Sequence, residues 1–218
     1  MVRTAAFFDM DNTLLRCNSG RRWIDYLRRH GELTRLEMVR ALTWLMRYKF
    51  TALDFENVTQ RVVAGMAGGD EAELVEKCRL WVHAEILCEV QAAARERIAR
   101  HRKDGHVCMI LSSSPRYVAE PVAEALGLDG VLCTRLEVEG GRFTGRIQPP
   151  ACYGVGKVHW AEQFAAQEQV DLASSWFYTD SYSDLPMLQR VGQRVVINPD
   201  PRLRRYARRA CWMIEQWQ

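Results

Sequence analysis

Short apolar runs that stop abruptly on polar residues recur along this chain: Ala5 to Phe8 before Asp9, Val107 to Leu111 before Ser112, and Trp176 to Tyr178 before Thr179, with Arg194 to Ile197 as a last strand. Their length and apolarity predict buried strands of a parallel sheet. Between the first two runs the spacing turns helical. Trp23, Ile24, Tyr26 and Leu27 mark one amphipathic segment, and Leu36, Val39, Leu42, Trp44, Leu45, Met46 and Tyr48 mark a second. A third runs from about Phe55 to Met66, ended by Gly68-Gly69, and a fourth from Asp70 through Trp81. No strand pattern interrupts them. Residues 16–88 are therefore predicted to form a helical cap inserted after the first strand, beside an α/β core of residues 1–15 and 89–218. An inserted lid of this kind excludes water from an active site.

The core pattern continues with helices near Val90 to Lys103, after Pro115 up to Gly127, from Lys157 onward, and from Leu185 onward. Val131 to Val138 and Arg142 to Ile147 flank Glu139-Gly140-Gly141 as a β-hairpin. Asn198-Pro199-Asp200-Pro201 then turns the chain into a basic tail. Strands alternating with helices predict a Rossmann-like, doubly wound and mostly parallel sheet.

Such sheets hold ligands at the carboxyl ends of their strands, and that is where the chemistry-bearing residues fall. Asp9 and Asp11 follow the first strand, and their spacing of two in an extended segment points both side chains the same way. Like charges so close repel unless a cation offsets them. One carboxylate can attack while the other handles a proton. Ser112-Ser113-Ser114-Pro115 brings hydroxyls and backbone amides to a second strand end, just before a helix N-terminus, where anions are favoured. Serines there also serve simply as helix caps. Gly154-Val155-Gly156-Lys157 is not a Walker loop, since Ala151 stands at the earlier glycine position and no Ser or Thr follows Lys157. A lone helix-start lysine is usually solvated. Asp180 and Asp184 cluster after a third strand, where a solvated turn and a helix cap are the plain alternatives.

Composition narrows the class. The chain has 218 residues, 48% hydrophobic and 26% charged, with a net charge of +3. Its seven cysteines are odd in number and scattered, without CxxC pairs, so no disulfide framework or structural zinc site is expected. A reducing, cytoplasmic setting is predicted. No uncharged stretch approaches a membrane-spanning length. The tail Arg202-Leu203-Arg204-Arg205-Tyr206-Ala207-Arg208-Arg209 raises nucleic-acid binding as an alternative class, which the small net charge and the lack of a binding motif argue against.

The order of the motifs, strand then DxD, strand then Ser, Lys opening a helix, strand then D-x-x-x-D, resembles the haloacid dehalogenase superfamily over essentially the whole chain. The likeness is to its phosphoserine-phosphatase-like branch, with a helical cap after the first motif. The four motifs read Phe8-Asp9-Met10-Asp11-Asn12-Thr13-Leu14, Ile110-Leu111-Ser112-Ser113-Ser114-Pro115, Gly156-Lys157, and Asp180-Ser181-Tyr182-Ser183-Asp184-Leu185-Pro186. The resemblance implies a magnesium-dependent phosphatase of a small phosphorylated metabolite, with Asp9 as nucleophile and Asp11 as acid and base. It implies Ser112, Ser113 and Lys157 for the phosphoryl oxygens, and a Mg2+ held by Asp9, the Asp11 carbonyl and Asp180, with Asp184 acting through a water. A phosphotransferase or mutase would share every motif. A dehalogenase needs neither the second aspartate nor a metal, so Asp11 argues against it.

Within that branch, a cap glutamate recognises the amine of phosphoserine. The same distance past Asp9 falls on Asn18, an uncharged amide, and the cap arginine for the substrate carboxylate corresponds only loosely to Arg61. Other phosphomonoesters, such as histidinol phosphate or phosphorylated amino alcohols, therefore enter as substrates. Trp23, Tyr26, Trp44 and Tyr48 are read as cap core rather than pocket lining.

Overall fold

In the computed structural model, which describes residues 2–32 and 55–217, the first apolar run is strand β1 (Ala5–Phe8), every residue of it buried. Along it the side chains alternate between two cores, as the pleat dictates. Ala6 and Phe8 face a layer that includes Ile98, Ile110, Val122 and Tyr178, while Ala5 and Phe7 face Met109, Ala161, Phe177 and Leu203. A strand buried on both faces must be apolar throughout, which is why its sequence is a run and not an alternation.

Six further strands join it: β2 (Val107–Pro115), β3 (Gly130–Glu139), β4 (Arg142–Gln148), β5 (Trp176–Thr179), β6 (Gln193–Ile197) and β7 (Met213–Glu215). Their order is β4-β3-β2-β1-β5-β6-β7, parallel throughout except for the antiparallel β3–β4 pair. The order reverses at β1, with β2 on one side and β5 on the other. That switch point opens a crevice at the strand ends.

The core helices are α4 (Ala92–Lys103), α5 (Arg116–Leu126), α6 (Val155–Glu168), α7 (Leu185–Arg190) and α8 (Pro201–Arg209), following the inserted helices α1 (Ser19–Arg29), α2 (Phe55–Ala64) and α3 (Glu71–Trp81). The second amphipathic segment, with Trp44 and Tyr48, lies outside the described residues. The two chain crossings into the insertion run antiparallel, with Leu15 bridging Val90, Arg16 N–H donating to Glu89 O (2.9 Å) and Gln91 N–H to Leu14 O (3.0 Å). Trp23 stacks on Tyr26 with ring centroids 5.2 Å apart, and its edge meets Trp81 at 4.9 Å. Trp81 is buried, and Trp23 and Tyr26 are half-buried and pack against the core beside it.

Two features go beyond the sequence reading. The hairpin receives the turn after α2 through backbone bonds: Gly68 N–H to Phe143 O (2.8 Å), Phe143 N–H to Gly69 O (3.0 Å) and Glu71 N–H to Gly141 O (2.9 Å). The basic tail is a helix, α8, that buries Leu203 and Ala207 and exposes its arginines, followed by the edge strand β7. All seven cysteines are free thiols. No helix among the described residues is long and apolar enough to cross a membrane.

Candidate active site

The sheet register brings the motif residues together. Phe8 pairs with Ile110 on one side and Tyr178 on the other, so the next residue in each strand direction leads to Asp9, Leu111-Ser112 and Thr179-Asp180. The Asp9 N–H continues the ladder, donating to Tyr178 O at 2.9 Å. Its carboxylate therefore emerges where pairing stops.

Lys157 reaches that point because of the glycine before it. A Cβ on Gly156 would lie 1.9 Å from the Ala151 carbonyl oxygen, so only glycine lets the first turn of α6 come this close. Lys157 Nζ donates to Asp9 Oδ1 (2.8 Å) and to Asp184 Oδ2 (2.7 Å), and Thr179 Oγ1 donates to the same Asp184 oxygen (2.6 Å). All are buried: Lys157 is 2% exposed, Asp184 1% and Asp9 7%. The lysine that ordinary helix statistics put in solvent is instead among the largest fully buried side chains. Asp184 precedes α7 but makes no side-chain cap bond, its carboxylate being spent on Lys157 and Thr179.

The charges do not balance around that one ammonium. Burial alone would lower the pKa of Lys157, yet Asp184 and Asp9 outweigh it and hold it above the ordinary lysine value. Burial pushes the Asp9 carboxyl up, Lys157 pulls it back, and Asp184 and Asp11 push again, leaving it raised to about 7. Asp180 is pushed well above the carboxylate range by burial and then by Asp9 and Asp184. Asp11 is raised by burial and held back by its bond to Ser19.

Asp11 is turned toward the start of α1. Its Oδ1 accepts the Ser19 N–H (2.9 Å) and its Oδ2 accepts the Asn18 amide N–H (3.0 Å). Ser112 is 1% exposed and its Oγ accepts the Ser114 N–H (3.2 Å), while Ser113 is half-buried. Arg61, on α2, is exposed. Thr179 and Ser19 were not singled out from the sequence. Thr179 carried a cue, a hydroxyl at the last position of a strand beside Asp180, whereas the main-chain N–H by which Ser19 reaches Asp11 leaves none in the sequence.

The donor set suits a hard divalent cation. It is all oxygen, and its carboxylates exceed the single lysine: burial first and mutual repulsion second raise Asp9 and Asp180, and a cation between them would offset the repulsion. Among the described residues no three His, Cys, Asp or Glu side chains form a ready-made cage. Two carboxylates completed by a main-chain carbonyl and waters is the arrangement that magnesium accepts. Beside Asp180 lies a cleft of about 410 Å³ lined also by Asn12, Arg16, Gln91, Asn198 and Trp217.

The chain is similar to known proteins over most of its length. The chain is 34% identical over 224 residues to a phosphoserine phosphatase of Mycobacterium tuberculosis, covering 100% of this chain and 72% of that protein. It is 28% identical over 218 residues to a histidinol-phosphatase of Neisseria meningitidis, covering 98% of each. A crystal structure of a protein of unknown function from Bordetella pertussis superposes with a TM-score of 0.89 at 28% identity, covering 98% of both chains. The model of the haloacid dehalogenase-like hydrolases matches residues 6–189. With residues 6–189 matched, most of its length, the chain belongs to the haloacid dehalogenase-like hydrolase family.

Proposed function

We propose that this protein is a magnesium-dependent phosphomonoesterase of a small phosphorylated metabolite, working through a phosphorylated Asp9. The observation that carries it is the buried triad of Asp9, Lys157 and Asp184 at the sheet's switch point. Among the described residues no hydrogen bond occupies Asp9 Oδ2, so one oxygen is oriented by Lys157 while the other is available to attack phosphorus. As the Asp9–phosphorus bond forms, the ester bond breaks and the Asp11 carboxyl gives its proton to the departing alkoxide. Water then attacks phosphorus, Asp11 takes the water's proton, and the bond to Asp9 breaks.

Lys157 offsets charge on the transferring phosphoryl oxygens, and Ser112 and Ser113 donate to them. Thr179, by holding Asp184, keeps Lys157 pinned from its other side. The magnesium would rest on Asp9, the Asp11 carbonyl and Asp180, with Asp184 near a bound water, and would supply neutralisation of phosphoryl charge. The helical segment 16–88 acts as the cap and the rest as the core, a division that the Leu15–Val90 bridge supports.

The names of two relatives, phosphoserine phosphatase and histidinol-phosphatase, support a substrate of that size. A phosphate-release screen over phosphorylated amino acids, amino alcohols and sugars, with and without chelator, tests the proposal. Chelator-sensitive release that Asp9→Asn abolishes is expected. Unchanged turnover in Asp9→Asn would overturn it.

A further inference from the structure

Asn18 stands where the phosphoserine-phosphatase-like branch places a substrate-binding glutamate, but both ends of its amide are engaged within the protein. Oδ1 accepts the Arg21 N–H at 2.9 Å and so caps α1. That bond fixes which end of the amide is which, because only the oxygen can accept. The NH2 end then donates to Asp11 Oδ2 at 3.0 Å, while the Ser19 N–H donates to Asp11 Oδ1 at 2.9 Å. The first turn of the first cap helix thus grips both oxygens of one carboxylate.

The grip has a second anchor. Ser19 is 2% exposed, and its Oγ lies 3.3 Å from the Ser114 Oγ, whose own N–H donates to Ser112 Oγ at 3.2 Å. The start of α1 is therefore tied to the strand end that carries the phosphate-binding serines. An aspartate side chain has two rotatable bonds, and donors on both of its oxygens leave it one orientation.

We infer that Asn18 is a positioning residue for proton transfer, its amide holding the Asp11 carboxyl toward the leaving oxygen instead of contacting substrate. The inference rests on the phosphomonoesterase reading above. In the first half-step the proton on Asp11 passes to the alkoxide as the ester bond breaks. A misoriented carboxyl leaves that oxygen to depart as a bare anion.

The consequence depends on the leaving group. An alkoxide needs the proton, whereas p-nitrophenolate departs as a stable anion without it. Asn18→Ser and Asn18→Asp both keep a side-chain oxygen to cap α1, and both lose the N–H that reaches Asp11. Asn18→Ser separates folding of the helix from orientation of the acid, and Asn18→Asp adds a like charge against Asp11. The probes are p-nitrophenyl phosphate and whichever of phosphoserine and histidinol phosphate the wild type hydrolyses faster. For both variants kcat/KM, which reports the step that forms phosphorylated Asp9, is expected to fall about tenfold or more on the alkyl ester and less than about threefold on the aryl ester, whereas kcat falls on both because the shared intermediate still needs Asp11 to activate water. Equal losses of kcat/KM on both esters, or no loss of it on either, would overturn the inference while leaving the phosphomonoesterase reading in place. Full activity of Asp9→Asn, or a wild type inert on every phosphate ester, would overturn that reading and this inference with it.

Discussion

Replacing Lys157 with methionine removes the cation from the centre of the site while nearly preserving volume. The wild-type ammonium makes two charge-assisted bonds, to Asp9 at 2.8 Å and Asp184 at 2.7 Å, with its side chain 3% exposed. Removing one partner of a buried ion pair costs about 3–5 kcal/mol when the other charge is left bare. Here the upper figure is not reached, because Asp9 is already raised to about 7 by burial and by its neighbours. Without Lys157 it takes up a proton near neutral pH instead of remaining charged. Asp184 also keeps its bond from Thr179 at 2.6 Å. What is lost is chiefly the two hydrogen bonds to charged groups, so a destabilisation of about 3 kcal/mol is expected, a large share of the ~5–15 kcal/mol typical of a domain. Urea unfolding in chelator at pH 7.5 measures it. Turnover should fall by roughly 10²-fold or more, as for other preorganised donors to a transferring group. Equal stability of Lys157→Met and wild type, together with retention of more than about a tenth of the activity, would refute the argument that this buried cation organises the site.

Other consequences are open to simpler measurements. Gly156→Ala drives its Cβ to 1.9 Å from the Ala151 oxygen, so the start of α6 must retreat and carry Lys157 with it; both melting temperature and turnover should drop, and a variant that matches wild type in both contradicts the close-approach argument. His101 is buried between Tyr178 OH (2.7 Å) and His106 (2.8 Å), and burial, followed by His106 and Arg97, pushes it down to about 4. The fold therefore holds it neutral, the unfolded chain binds the proton first near pH 6.5, and stability is lost as pH falls from about 6.5 toward 4, by at most about 3 kcal/mol. Denaturation across that range should show a steeper decline for wild type than for His101→Gln, and identical slopes would remove the assignment. Chelation should abolish phosphate release and added magnesium restore it, whereas chelator-insensitive release would exclude a metal held by Asp9 and Asp180.

The strands that carry the site were legible because each is buried on both faces and so is written as an unbroken apolar run. Ala5–Phe8 and Trp176–Thr179 match their runs almost residue for residue. The burial of Lys157 was not legible, since it follows from the contact of Gly156 with a carbonyl five residues earlier and from charges supplied by Asp9 and Asp184, far off in the chain or in the turn before α7. Strand β7, three residues long, has no room for a period and takes its conformation from pairing with β6. The hairpin was visible in Glu139-Gly140-Gly141, but its clasp on the turn after α2 uses main-chain groups that any sequence supplies. Asn18 could be found by counting from Asp9, yet its partner could not: the choice between substrate and Asp11 is made by the direction of the amide, which the cap bond to Arg21 sets.

Which atom receives the phosphoryl group decides the mechanism. Mixing the enzyme with excess substrate and magnesium, quenching in acid within the first turnover and mapping the adduct by mass spectrometry addresses it directly. A phosphorylated peptide carrying Asp9, absent from Asp9→Asn and accumulating when Asp11→Asn slows its hydrolysis, is the expected result. Phosphate released in the first turnover with no adduct on Asp9, or an adduct on any other residue, would contradict it.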